Sequence, residues 1–445
     1  MPAAARAPDA VLMTTRTAAP PDALQELARG AALAGGAEVV LDAAAVHAFV
    51  REHLGSHDVT GRSVCVVIPD ATRSCPLPLL LDAVHGALAG RASRVTALVA
   101  LGTHAEMGEE HLARHCGYPV GDVDARFPGM TVLNHRWRDP ATFVRLGAIT
   151  PERVAELSGG RLAVGVDVRV NRAVVEHDLV LVVGPVLPHE VVGFSGGNKY
   201  FFPGVSGPEV IDLSHWLGAL ITSAEIIGTR EVTPVRAVID EAAALIPTET
   251  LALCAVTEHG GDGLHALAFG EPRAAWAAAA DVAARTHVRY LDAPVRRVLS
   301  LIPRKYDDVW TAAKGFYKLE PVVADGGEVV LHAPHITQVA AMHPEIEQIG
   351  YHCRDYFTGQ WDRFRDVPWG VLAHSTHLRG AGTWDPVHGE RPRVRVTLAT
   401  SIPEHVVRAV GLGHLDPAEV DVAAFEADPG TLVVPDAGEV LHRLR

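Results

Sequence analysis

From about residue 60 the chain alternates two patterns. Short unbroken apolar runs are followed by longer stretches with apolar residues every three or four positions. "SVCVVI" (63–68) is a β-branched run too short for a helix, which predicts a strand buried on both faces. "PLPLLLDAVHGALAG" (76–90) has helical spacing, prolines near its start and a glycine at its end. "RVTALVALG" (94–102) and "HDLVLVVGPV" (177–186) predict two more buried strands. A second block repeats the alternation: a strand at 298–302, a helix from about Asp308 to Ala324, and strands at 327–333 and 393–402. Such alternation predicts α/β architecture with mainly parallel sheets. "HVRYLDAPVRR" (287–297) holds a proline and no clear period, so two α/β domains are expected to meet there. The expected boundaries are 1–292 for an N-terminal domain, 296–410 for a C-terminal domain that closes over the site, and 411–445 for a tail free to return to the first. The first 20 residues, rich in Ala, Pro and Arg, read as an arm.

The residues after each strand carry the chemistry. The first strand ends in "PDATRSCP", presenting Asp70, Thr72 and Arg73. The second ends in "GTHAEM", presenting His104, and the third in "PVLPHE", presenting His189. In open parallel sheets ligands sit outside the carboxyl ends of strands, so these side chains are candidates for one crevice. "SGGNK" then places Ser195, Gly196 and Gly197 before Lys199. Glycines let backbone N–H groups approach an anion, but the segment is not a P-loop, and an ordinary turn with a solvated lysine gives the same letters. Asp70 and Arg73 also suit a local ion pair, and Lys314 in "TAAKG" suits a solvated helix face. His189, Lys199 and His215 do not have the spacing of a zinc signature.

Composition narrows the class. A chain of 445 residues exceeds one ordinary core, which supports two domains. The net charge of -14, without a Lys/Arg cluster, argues against nucleic acid or an anionic membrane as partner. No apolar run approaches the ~20 residues of a membrane span. The five cysteines are scattered and odd in number, which suits reduced thiols in a cytoplasmic protein.

In order, these motifs resemble one family, the nickel-pincer lactate racemases. Its glycine-rich "HPxxxGFSGGxKxxFPG" segment is matched here by "PHEVVGFSGGNKYFFPG", with histidine and proline in swapped order. The resemblance implies a cofactor, a pyridinium mononucleotide whose thioamide and thiocarboxylate hold nickel through two sulfurs and a ring carbon. It implies that Lys199 is the covalent tether, with His215 as nickel ligand and His104 and His189 as acid and base on opposite faces of the substrate. Asp70, Thr72 and Arg73 match the "DxTR" turn near cofactor and substrate, and Ser195, Gly196 and Gly197 the cofactor loop. Lys314 matches the second-domain lysine facing the site, so Arg73 and Lys314 would fix the substrate carboxylate or cofactor charges. The implied activity is racemisation or epimerisation of a small 2-hydroxy acid. The proton leaves the hydroxyl while hydride passes reversibly to the cofactor, which other, cofactor-building proteins supply. Two bases near neutrality fit that demand.

The second block departs from the lactate pattern. Trp310 and Thr311 stand in "WTAAKG" where "YQAVKG" is expected, so the pocket suits a longer hydroxy acid or binds lactate poorly. Trp361 matches a pocket tryptophan of the second domain. Two other classes remain open at this point. One is a zinc hydrolase built on the same histidines; the other is a non-catalytic holder of the nickel nucleotide or a related anion.

Overall fold

A computed structural model of the chain describes residues 21–259 and 263–445, so the expected N-terminal arm lies outside the described residues. The first sheet orders its strands Ala32–Gly35, Leu264–Gly270, Glu249–Thr257, Leu179–Pro185, Ser63–Pro69, Arg94–Ala100 and Met130–Asn134. The last five run parallel, and Leu264–Gly270 is antiparallel to its neighbours. Val64 to Ile68 and Leu179 to Val183 are fully buried, as helices cover both faces. Burying each such side chain contributes about 1.5–3 kcal/mol, which is why these runs form central strands.

The strand order sets the site. Ser63–Pro69 pairs with Arg94–Ala100 on one side and with Leu179–Pro185 on the other. The chain therefore reverses its direction of progress between the two central strands. Their carboxyl ends diverge into a crevice there, and both carry candidate residues.

The second sheet, also parallel, orders Gly413–His414, Arg395–Thr400, Val323–Ala333, Val295–Leu301 and Thr431–Val434. The tail thus adds a strand to this sheet before Leu441–Leu444 pairs with Val288–Leu291. One hydrophobic core runs through both blocks, joining Val182, Phe194 and Trp276 to Val298, Phe316 and Val329.

The single helix expected over 308–324 is instead two short turns, Val309–Ala312 and Lys314–Tyr317, then a 3-10 turn at Glu320–Val322. The cause is close packing against the neighbouring strand. A Cβ on Gly315 would lie 2.3 Å from Ile302 Cδ1, and Ser300 Oγ donates to Gly315 O at 2.9 Å. The next strand accordingly starts early, at Val323.

The glycine loop is equally tight. Gly197 has φ +57°, and a Cβ there would stand 2.8 Å from both Pro272 O and Trp276 Cβ. Gly197→Ala is expected to cost roughly 1–3 kcal/mol through overpacking. A thermal unfolding scan checks this, and an unchanged midpoint would contradict the packing described.

Candidate active site

The crevice at the first sheet's central strands continues into a cavity of about 530 Å³, roofed by the second block. Asp70, Arg73, His104, His189, Glu190, Lys199 and His215 line it from the first block. Trp310, Thr311, Lys314, Tyr317, His343, His374 and His377 line it from the second.

Lys199 is held by the loop before it. Gly196 has φ +89°, and a Cβ there would lie 2.5 Å from Val186 Cγ2, so no other residue fits without movement. Ser195 Oγ accepts from Leu187 N at 3.0 Å and donates to Pro185 O at 3.3 Å, tying the loop to its strand. Beneath it lies Arg236, 1% exposed, with its guanidinium 4.2 Å from the Trp276 ring centre. Arg236 donates to the carbonyls of Gly196 and Phe194. Phe194, Phe201 and Phe202 are fully buried and pack the loop's underside. Burial first, then Arg73 and Arg236 against the opposing pull of Glu190, bring the Lys199 amine down to about 7. Near neutral pH this amine is in large part an uncharged nucleophile.

The three first-block histidines differ in their partners. His104 Nδ1 pairs with Asp70 Oδ2, while Asp70 Oδ1 accepts from Thr72 N at 3.1 Å and Thr72 Oγ1 at 2.8 Å. Burial raises the Asp70 carboxyl, but His104, Arg73 and Lys314 outweigh it and hold the group well below the usual carboxylate range. An ionised Asp70 keeps the proton on Nδ1 and leaves His104 Nε2 as a base. His215, on the helix Pro208–Ile221, donates from Nδ1 to Ile211 O at 2.7 Å. Its pKa is pushed to about 4 by burial and then by Lys199, so it is neutral with a free lone pair on Nε2. His189 is 2% exposed, and burial followed by Lys199 and Arg73 drives its pKa well down. Val191 N donates to its Nδ1 at 3.1 Å, and Arg73 stands 3.5 Å from its Nε2.

The second block supplies cations and a stacked wall. Burial, then Arg73, lowers Lys314 to about 7. Its Nζ lies 4.7 Å from the Tyr306 ring centre and has no hydrogen-bond partner among the described residues. Trp310 is stacked between His343, at 4.1 Å, and His374, at 3.6 Å. His343 in turn reaches the first block, with Nε2 3.1 Å from Thr103 Oγ1. Thr311 donates from Oγ1 to Asp308 Oδ1 at 2.7 Å. Behind the cavity Glu439 joins the blocks. It accepts from Ser74 and from Lys305, and its carbonyl accepts from Lys318 at 2.8 Å.

The structure brings together Asp70, Arg73, His104, His189, Ser195, Gly196, Lys199, His215, Trp310, Thr311 and Lys314 around one cavity. Three expected residues stand apart from it. Thr72 orients Asp70 from behind, and Gly197 is pressed against Trp276. Trp361 stacks on Trp216 at 5.4 Å and packs against Trp369, because its short helix leans on the outer side of the Pro208–Ile221 helix. Sequence reasoning missed Glu190, Tyr317, His343, His374 and His377. The i, i+3 spacing in "HSTH" was a usable signal for the last two. A stronger signal was lysine usage. The chain has only four lysines, Lys199, Lys305, Lys314 and Lys318, and all four lie in or directly behind this cleft. Everywhere else the chain uses arginine, which keeps its proton; a lysine amine can lose its own.

A lysine and paired histidines at the switch point of a parallel sheet, covered by a second α/β block, define a class of cleft protein. The sequence profile of the lactate racemase N-terminal domain matches residues 37–227. The lactate racemase of Thermoanaerobacterium thermosaccharolyticum is 28% identical over 163 residues, 35% of this chain and 32% of that protein. That of Lactiplantibacillus plantarum is 26% identical over 157 residues, 34% and 32% respectively. These matches span about a third of the length of each curated relative. A Thermotoga maritima protein of known crystal structure is 31% identical, with a TM-score of 0.85, covering 93% of this chain and all of that one. The lactate racemase apoprotein of T. thermosaccharolyticum superposes over 89% of this chain and 93% of its own, with a TM-score of 0.67 at 18% identity, a likeness of fold. The chain belongs to the lactate racemase family.

With four lysines, amine chemistry reads the site directly. Trace acylation followed by peptide mapping is expected to show Lys199 and Lys314 gaining reactivity through pH about 7. Reactivity that rises only near the ordinary lysine pKa would contradict the burial and charge environment described.

Proposed function

We propose that this chain racemises or epimerises a small 2-hydroxy acid. The observation that carries this reading is the pair of histidines on two different strand ends, His104 and His189, facing one cavity that also holds Lys199 and His215. Inverting a carbon that bears a hydroxyl requires a proton acceptor on each face, and imidazole is suited to that task near neutral pH.

The residues fit the family's nickel-pincer nucleotide. An amine with a pKa near 7 on a fixed loop suits an amide-type tether to a thiocarboxyl group. His215 offers a neutral Nε2 with its other nitrogen fixed by a backbone carbonyl, the arrangement of a metal-ligating histidine. Among the described residues no three His, Cys, Asp or Glu side chains are grouped to hold a metal ion. The remaining ligands would therefore come from the nucleotide, which favours this reading over a zinc hydrolase. When bound, the nickel nucleotide supplies a reversible hydride acceptor.

The chain's own residues do the rest. Arg73 and Lys314 provide positive charge for the substrate carboxylate, and Arg73 alone keeps its charge fully at neutral pH. His104 takes a hydroxyl proton at Nε2 while Asp70 stabilises the resulting imidazolium. His189 serves the opposite face. The stacked Trp310, His343 and His374 form one wall of the cavity. Thr311 is already bonded to Asp308 and leaves more room than a longer amide would, in line with a substrate bulkier than lactate.

The test is stereochemical. Single enantiomers of lactate and of longer 2-hydroxy acids are incubated with protein made in a host that builds the nucleotide, and chiral chromatography follows inversion. Inversion of at least one acid is expected. His104→Ala and His189→Ala are each expected to slow it by about 10²–10⁴-fold. Full turnover in both variants would sink the acid–base assignment.

A further inference from the structure

Glu190 lines the cavity directly after His189, and the reaction derived above makes no use of it. Its carboxylate Oε2 lies 3.2 Å from His189 Nδ1. That nitrogen thus has two neighbours at nearly equal range, the carboxylate and Val191 N–H at 3.1 Å. It can serve only one of them at a time. With a lone pair on Nδ1 it accepts from Val191, and the ring proton sits on Nε2. With the proton on Nδ1 it donates to Glu190, and Nε2 carries the lone pair. Only the second form can take a proton from a substrate hydroxyl.

Arg73, 3.5 Å from Nε2, can only donate and so favours the same form, but it offers Nδ1 no acceptor. The charged and titratable groups that act on His189 are Lys199, Arg73, His215 and Lys318, which are cationic or neutral. Among the described residues Glu190 is the carboxylate in ion-pair reach of this ring. Glu190 is also kept anionic and in place. Burial raises its carboxyl, but His377, Arg73 and Lys199 overcome this, and the Tyr317 hydroxyl donates to it. At ion-pair range this parallels, on the other strand end, the hydrogen bond that joins Asp70 to His104.

We propose that Glu190 is the positioning residue that makes His189 a base, forming a second carboxylate–imidazole pair opposite Asp70 and His104. The proposal deepens the racemase reading and rests on it. Its chemistry is a proton relay without net change. The substrate hydroxyl proton moves to Nε2, the Nδ1 proton stays shared with Glu190, and the cation returns the Nε2 proton when the reaction runs backward. The Val191-bonded form is the unproductive alternative, in which Nε2 can only donate.

Two measurements test it. The first uses the protein without cofactor, labelled with ¹⁵N-histidine, with the His189 signals assigned by their loss in His189→Asn. Wild type is expected to populate the Nδ1–H form, and Glu190→Gln to shift His189 towards the Nε2–H form. The same tautomer in both proteins would overturn the proposal. The second uses cofactor-loaded enzyme. Glu190→Gln is expected to lower kcat by about 10²–10⁴-fold with little change in KM, the size of effect a misdirected tautomer produces. Glu190→Asp, which keeps the charge, is expected to recover part of it. Wild-type turnover in Glu190→Gln would overturn the proposal and leave the racemase reading standing. If wild type inverts no 2-hydroxy acid, the racemase reading fails, and the nitrogen spectra still decide the pairing.

Discussion

The site depends on lowering lysine amines to a pKa near neutrality in a protein whose net charge is -14. Lys199 and Lys314 both sit near a pKa of 7, and in both burial comes first and Arg73 second. Each unit of depression costs about 1.4 kcal/mol of preference for the charged form, a burden the fold carries only where chemistry needs it. Arg73 makes this possible because its own proton does not leave. Carboxylates are rationed around it. Asp70 is committed to His104, Glu190 stands between His189 and Tyr317, and Glu439 is held behind the cavity by Lys305 and Ser74.

The scaffold that supports this balance is the reversal point of the first sheet. Two central strands end side by side, one delivering Asp70 and Arg73 and the other delivering His189. Lys199 follows on a loop too crowded for any side chain at Gly196, with Arg236 beneath it bonded to its carbonyls. His215 comes from the next helix, where its Nδ1 is fixed by the carbonyl one turn back. Strand ends, a tied loop and one helix thus hold the groups of the first block. The second block adds Lys314 and the Trp310 stack, and His343 reaches back to Thr103 to complete the enclosure.

Strands whose both faces are covered were legible because their β-branched runs have no polar interruption: Val64 to Ile68 and Leu179 to Val183 are examples. Their ends were legible too, since chemistry-bearing residues follow each run directly. The segment after Asp308 was not. Its apolar spacing is helical, but contact with Ser300 and Ile302 at Gly315 is a tertiary constraint that local pattern does not carry. Trp361 misled for a related reason, because an aromatic near a cleft sequence packs as readily on the outer side of a helix. Glu190, His374 and His377 were hidden among 24 histidines and many acids, and only spatial convergence distinguishes them. The four lysines were the overlooked clue, visible by counting alone.

The central claim is that Lys199 exists to be joined to a nucleotide that carries the reacting metal. Peptide mass spectrometry of protein made in a host that builds the nickel-pincer nucleotide tests it most directly, with nickel measured on the same sample. The result expected is an added mass on the peptide containing Lys199, absent in Lys199→Ala, together with bound nickel. An unmodified Lys199, from a host shown to load a known lactate racemase, would contradict the claim.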